Sequence, residues 1–171
     1  MSKKTWFYLY GKIRHYYHSY IVHNEFNPTL IIDNIYVGNV YDAHNIEELK
    51  KHNITNVISA VTGFDNIYDS SINHLSLNLI DDTQQNIIHY FDIALYFIQN
   101  AVTKKQPILI HCICGISRSV TLIIVYLINK YNYNVINALQ FIQKKRPIAN
   151  PNSFFIHQLL LYYNQLLPTK P

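Results

Sequence analysis

The sequence predicts an α/β fold, one domain with a central sheet flanked by helices, preceded by an extra N-terminal helix. Three observations carry this. Short apolar, β-rich runs alternate along the chain with stripes of helical period. Two of those runs, residues 55–61 and 107–110, are apolar, short and bounded by polar residues, as buried strands are. The length, 171 residues, is that of one domain, and a domain of this size buries about 70% of its unfolded surface without staples.

Each element follows in order. Trp6, Leu9, Tyr10, Ile13, Tyr17 and Tyr20 share one helical face, while Arg14, His15 and His18 sit off it. Residues 1–22 therefore read as an amphipathic helix, packed on the domain or held by a partner. Asn27-Pro28 breaks it, and the domain proper runs over residues 28–167. Residues 31–37 read as one strand ending at Gly38-Asn39, and 46–52 as a short helix. Residues 55–61 and 72–77 are further strands. An acidic loop, Ile80-Asp81-Asp82-Thr83, leads into a helix that buries Ile87, Phe91, Ala94, Leu95 and Ile98. After the strand at 107–110, residues 117–129 form a strongly apolar helix. Residues 135–145 form another, with Val135, Ala138, Leu139 and Ile142 as its stripe. Residues 147–151 are a loop, and Asn152 caps a final helix to about residue 166.

Composition excludes several classes. Hydrophobic residues make up 49% and charged residues 14%, with 4 Gly and 6 Pro, so the chain is neither disordered, collagen-like nor a linker. No apolar run reaches the roughly 18 residues of a membrane span, and the N-terminus lacks the apolar core of a secretion signal. Cys112 and Cys114 are too close to build a disulfide framework, which points to a reducing, intracellular compartment. The net charge of +4 favours anionic partners. Its lysines and arginines are scattered, Lys144, Lys145 and Arg146 included, so they read as solvated surface; nucleic acid is permitted but not favoured. His15 and His18 lie three apart, but no third or fourth ligand has metal spacing. No metal and no cofactor are expected.

The chemistry is concentrated in His111-Cys112-Ile113-Cys114-Gly115-Ile116-Ser117-Arg118-Ser119, between a buried strand and a buried helix. Such a junction is an anion site. Amides of a tight loop and of a helix N-terminus converge there, and the helix dipole adds positive potential. Gly115 permits a turn that other residues resist. The amides of Ile113, Cys114, Gly115, Ile116, Ser117 and Arg118 would cradle a phosphate, and the Arg118 fork would close on two of its oxygens. Cys112 lies at the bottom. Free thiols titrate near 8.5, and surroundings of this kind lower reactive ones to about 3.5–7.5. The thiolate would attack phosphorus, with Ser119 steadying the sulfur. His111 reads as a buried residue bonded to backbone. Cys114 reads as a loop side chain touching a neighbouring element rather than a redox partner of Cys112.

This string resembles the HC-x5-R-S loop of Cys-dependent protein tyrosine phosphatases. Three further stretches narrow the resemblance to the small dual-specificity phosphatases: Ile35-Tyr36-Val37-Gly38-Asn39, Asn53-Ile54-Thr55-Asn56-Val57-Ile58, and Arg146-Pro147-Ile148-Ala149-Asn150-Pro151-Asn152-Ser153-Phe154 with Gln158-Leu159. The match covers about residues 28–166. Chain length and the aromatic N-terminal helix are most similar to the poxvirus-type members. The resemblance implies a mixed, twisted sheet. It implies a carboxylic acid nine residues before the first aromatic of the following helix. Counting back from Tyr90 gives Asp81; a loop slipped by one residue would give Asp82.

The expected activity is metal-independent hydrolysis of phosphotyrosine and phosphoserine or phosphothreonine in proteins, through a cysteinyl-phosphate. Cys112, Arg118, Asp81 and Ser119 are the expected catalytic residues. The same scaffold can serve RNA 5′-triphosphates or phosphoinositides, and a non-catalytic phosphoprotein reader is a further alternative. The expected partners are a phosphorylated protein substrate and a second copy of the chain, paired through residues 6–20. If the protein is viral, the compartment is host cytoplasm or virion.

Overall fold

The computed structural model describes residues 26–64 and 68–167. The N-terminal helix expected at 1–22, and the pairing of copies through it, lie outside the described residues. Along the chain come β1 (Thr29–Ile32), β2 (Ile35–Gly38), α1 (Val40–His44), α2 (Ile46–Lys51), β3 (Asn56–Ala60) and β4 (Asn73–Leu77). A 3-10 turn (Ile88–Tyr90) then leads into α3 (Phe91–Thr103), followed by β5 (Ile108–His111), α4 (Arg118–Tyr131), α5 (Val135–Gln143) and α6 (Ser153–Leu166).

The sheet runs β1-β2-β5-β3-β4. β1 and β2 pair antiparallel and every other pair is parallel, so the sheet is mixed. β5 lies in the middle and is buried along its whole length. Its side chains alternate. Ile108 and Ile110 join the larger core under α3, α4, α5 and α6, while Leu109 joins Ala43, Leu49 and Val57 under α1 and α2. Helices therefore cover both faces. α4 is buried from Arg118 to Ile128, which explains its nearly unbroken apolar sequence: it runs through the core rather than over it.

Two elements depart from the sequence reading. The single strand expected at 31–37 is a hairpin. Asp33 and Asn34 form its turn with φ of 49° and 64°, the paired left-handed conformation that two-residue hairpin loops require and Asp and Asn tolerate. Tyr126 donates to Asp33 Oδ2 at 2.7 Å, and Tyr131 donates to the same oxygen. The apolar residues flanking the turn mask it in the sequence. The second departure is α1, too short to show a period. It is made by a capping box: Asn39 Oδ1 accepts from the amides of Tyr41 and Asp42, and Asp42 Oδ2 accepts from Asn39 N. On α3, Leu95 is only partly buried, and Ala101 completes the inward stripe.

Candidate active site

Cys112 follows the central strand and Arg118 opens α4, so residues 112–118 turn at the C-terminal edge of the sheet, where open α/β sheets bind ligands. The loop is held from outside by its carbonyls. Ile113 O accepts from Val40 N at 3.0 Å, and Ile116 O accepts from Asn150 N at 2.9 Å. Arg146 donates to Gly115 O at 2.8 Å, to Cys114 O at 3.2 Å and to Thr29 Oγ1 at 3.0 Å. A trans peptide points its N–H away from its C=O. Carbonyls occupied on the outer side therefore leave amides on the inner side. Gly115 has φ 64°, and a Cβ there would stand 2.5 Å from Gly38 O and 2.7 Å from Arg146 Nη2. Only glycine fits.

Arg146 is a correction. It is buried and braces the loop rather than forming solvated surface with Lys144 and Lys145. Charge pattern alone gives no signal for it. The family-like string beginning at Arg146 was the usable one.

Cys112 is 1% exposed. Ser119 Oγ donates to its sulfur at 3.4 Å. Burial pushes the thiol up, but the Arg118 charge, the Ser119 hydroxyl and the amides of Ser119 and Ile116 outweigh it, and the net direction is down. Cys114 goes the other way. Burial, then the neighbouring Cys112, push its thiol up to about 11, so it is protonated at neutral pH and a poor redox nucleophile. His111 is bonded as expected. Its Nδ1 meets Cys112 O at 3.1 Å and its Nε2 meets Ser59 Oγ at 2.7 Å, and burial holds it down at about 3, so the ring is neutral.

Arg118 is 8% exposed. One nitrogen donates to Leu79 O at 3.0 Å. Its Nε has no hydrogen-bond partner among the described residues and lies 3.8 Å from Asp81 Oδ2. A buried cationic donor with no acceptor among the described residues suits an oxyanion lodged against the loop.

Asp81 and Asp82 separate cleanly. Asp81 Oδ1 accepts from Ser117 Oγ at 2.8 Å and from Asn152 Nδ2 at 2.7 Å, which brings its carboxylate to the rim of the loop. Asp82 is exposed and turned into its own loop, accepting from the amides of Gln84 and Gln85 at 2.8 and 2.9 Å. The loop is clamped by a residue that sequence reasoning named only as part of a motif. Gln158, buried on α6, accepts from Ile87 N and Ile88 N at 2.8 and 3.0 Å and donates to Gln85 O at 2.9 Å. Replacing Gln158 by Leu strands these backbone groups. We expect about 2–3 kcal/mol of lost stability by urea denaturation; a loss below about 0.5 kcal/mol would show the clamp to be unimportant.

Residues 35–165 match the family model described as "Dual specificity phosphatase, catalytic domain". The chain belongs to the dual-specificity phosphatase family. Dual specificity protein phosphatase 1 of Arabidopsis thaliana is 34% identical over 132 residues, 77% of this chain and 67% of that protein. Protein phosphatase Slingshot of Drosophila melanogaster is 30% identical over 139 residues, 81% of this chain but 13% of its own length. Among solved structures, the Yvh1 phosphatase domain of Chaetomium thermophilum superposes with a TM-score of 0.75 at 30% identity, covering 85% of this chain and all of that one. The dual-specificity phosphatase fold thus accounts for the mixed sheet and for the loop at its centre.

Proposed function

We propose that the protein hydrolyses phosphomonoesters on proteins, phosphotyrosine and phosphoserine or phosphothreonine, through a cysteinyl-phosphate. One observation carries the reading: the buried Cys112 sulfur has its thiol lowered by the neighbouring Arg118 charge, and the Nε of that Arg118 has no hydrogen-bond partner among the described residues.

The substrate phosphate docks on the amides of residues 113–118 and on the Arg118 fork. Cys112 Sγ attacks phosphorus in line. The P–O bond to the leaving group breaks, and Asp81 gives that oxygen its proton. Asp81, now a carboxylate, takes a proton from water as the water attacks phosphorus and the P–S bond breaks. Ser119 Oγ donates to the departing thiolate. Charge growing on the equatorial oxygens meets donors already in place. Asp81, rather than Asp82, takes the acid role because its carboxylate alone reaches the loop.

The charge around the loop favours protein phosphate over substrates that carry several phosphates. Ile113, Cys114 and Ile116 add no cation inside the loop. Arg146 is engaged with loop carbonyls, and Lys145 donates to Ile31 O. Triphosphate-ended RNA and phosphoinositides present further anionic groups that want cations of their own. The thiol nucleophile also fits a reducing compartment. Among the described residues no helix is long and apolar enough to cross a membrane. Kinship with the poxvirus-type members is supported by chain length and the aromatic N-terminal sequence, and pairing of two copies by the shared aromatic face of residues 6–20.

Phosphate release from a phosphotyrosine peptide, a phosphothreonine peptide, triphosphate-ended RNA and a phosphoinositide tests the reading. The peptides are expected to lead by at least about tenfold in kcat/KM, the cost of one unmatched charged contact. A faster RNA or lipid reaction would sink the protein-substrate assignment.

A further inference from the structure

We propose that Asn152 is a positioning residue for the acid: its side-chain amide holds the Asp81 carboxylate at the rim of the loop. This rests on the reading of Asp81 as proton donor. Asp81 stands on a connection without helix or strand at its position, and its side chain is one-third exposed. A carboxylate so placed samples several rotamers unless donors fix it. The described hydrogen bonds to it come from Ser117 Oγ and Asn152 Nδ2, and both land on Oδ1. The other oxygen, Oδ2, is thereby turned toward Arg118, which holds the phosphate in the proposed mechanism.

Asn152 is itself held at three points. Its Oδ1 accepts from Phe155 N at 2.9 Å as the N-cap of α6, its backbone N donates to Ser117 Oγ at 3.1 Å, and its Nδ2 donates to Asp81. Ser117 closes the ring by donating to the same Asp81 oxygen. The position asks for an acceptor and a donor on one short side chain. Ser, Thr and Asp all cap helices, but only an amide caps with its oxygen and donates with its nitrogen at that reach. The cap and the acid are thus tied to one residue, and α6 delivers both.

The consequence depends on the leaving group. A tyrosyl oxygen, whose conjugate acid titrates near 10, needs the proton as it departs. A nitrophenolate leaves as a stable anion and does not. Asn152→Ser keeps a cap and removes the donor. We expect its kcat/KM on a phosphotyrosine peptide to fall about tenfold, part of the 10²–10⁴ that a general acid supplies. On p-nitrophenyl phosphate the change should stay within about twofold, and the thermal midpoint should be unchanged.

Asp81→Asn gives a deeper fall of the same leaving-group dependence, and adding Asn152→Ser to it costs nothing more. Equal losses on both substrates, or a further loss in the double variant, would overturn the positioning role and leave Asn152 as a helix cap alone. An Asp81→Asn chain without leaving-group dependence would overturn the proton-donor assignment, and the positioning role with it.

Discussion

A Cys112→Ser chain is expected to release phosphate from p-nitrophenyl phosphate about 10⁴-fold more slowly than the wild type, or worse, since losing a nucleophile costs up to about 10⁶ where such losses are dissected. The loop lowers the proton affinity of a thiol by balancing burial against Arg118, Ser119 and the amides. A serine hydroxyl starts far too high for that balance to ionise it, so the attacking anion is absent. The cradle itself does not change. The Arg118 fork and the amides remain, and the variant should still bind a phosphotyrosine peptide, measurable by titration calorimetry. Alkylation of the wild type by iodoacetate should set in at a lower pH than for a free thiol, because only the thiolate reacts. Wild-type turnover by the Cys112→Ser chain would end the covalent mechanism.

Replacing Arg118 by Lys is the second large effect. Lysine keeps the positive charge but not the planar fork, and it cannot hold Leu79 O while also meeting two oxygens of a phosphate. Loss of one preorganised donor to a developing oxyanion costs about 10²–10³ in rate, and we expect kcat/KM to fall by that much. Leu79 O keeps its bond from Thr62 N at 3.1 Å, so losing the Arg118 bond should cost no more than about 1.5 kcal/mol of stability. The two roles of Arg118 can be read apart. Arg118→Lys should leave the onset of iodoacetate alkylation close to wild type, because the charge beside Cys112 survives. Arg118→Ala should move that onset to higher pH. Equal shifts in both variants would mean that the charge is not what lowers the Cys112 thiol.

Not everything at the site was equally legible. Cys112, Gly115, Arg118 and Ser119 fall within nine consecutive residues, and the observed φ of Gly115 and the 3.4 Å contact from Ser119 to the sulfur follow from that local order. Asp81 was reached by counting along a family-like register, which leaves Asp82 one residue away. The separation of the two came from contacts across 36 and 71 positions, to Ser117 and Asn152. Arg146 shows the same limit. Beside two lysines it reads as surface, yet it lies buried against carbonyls more than 30 positions earlier. The hairpin turn at Asp33-Asn34 was local and still missed, because apolar residues on both sides gave a continuous strand signal.

Local chemistry, then, was readable from the residues alone: an α/β chain, a strand–loop–helix junction built to hold an oxyanion, and a thiol at its base. Consecutive residues build such a loop because its amides, its glycine and its helix start all belong to one short stretch of backbone. The three-dimensional packing chose which carboxylate faces it, what braces it from behind, and which side chain of α6 reaches the acid. Those choices depend on hydrogen bonds only a few ångströms long between groups far apart in the chain, and such distances are set by the closure of the core rather than by any neighbour in sequence.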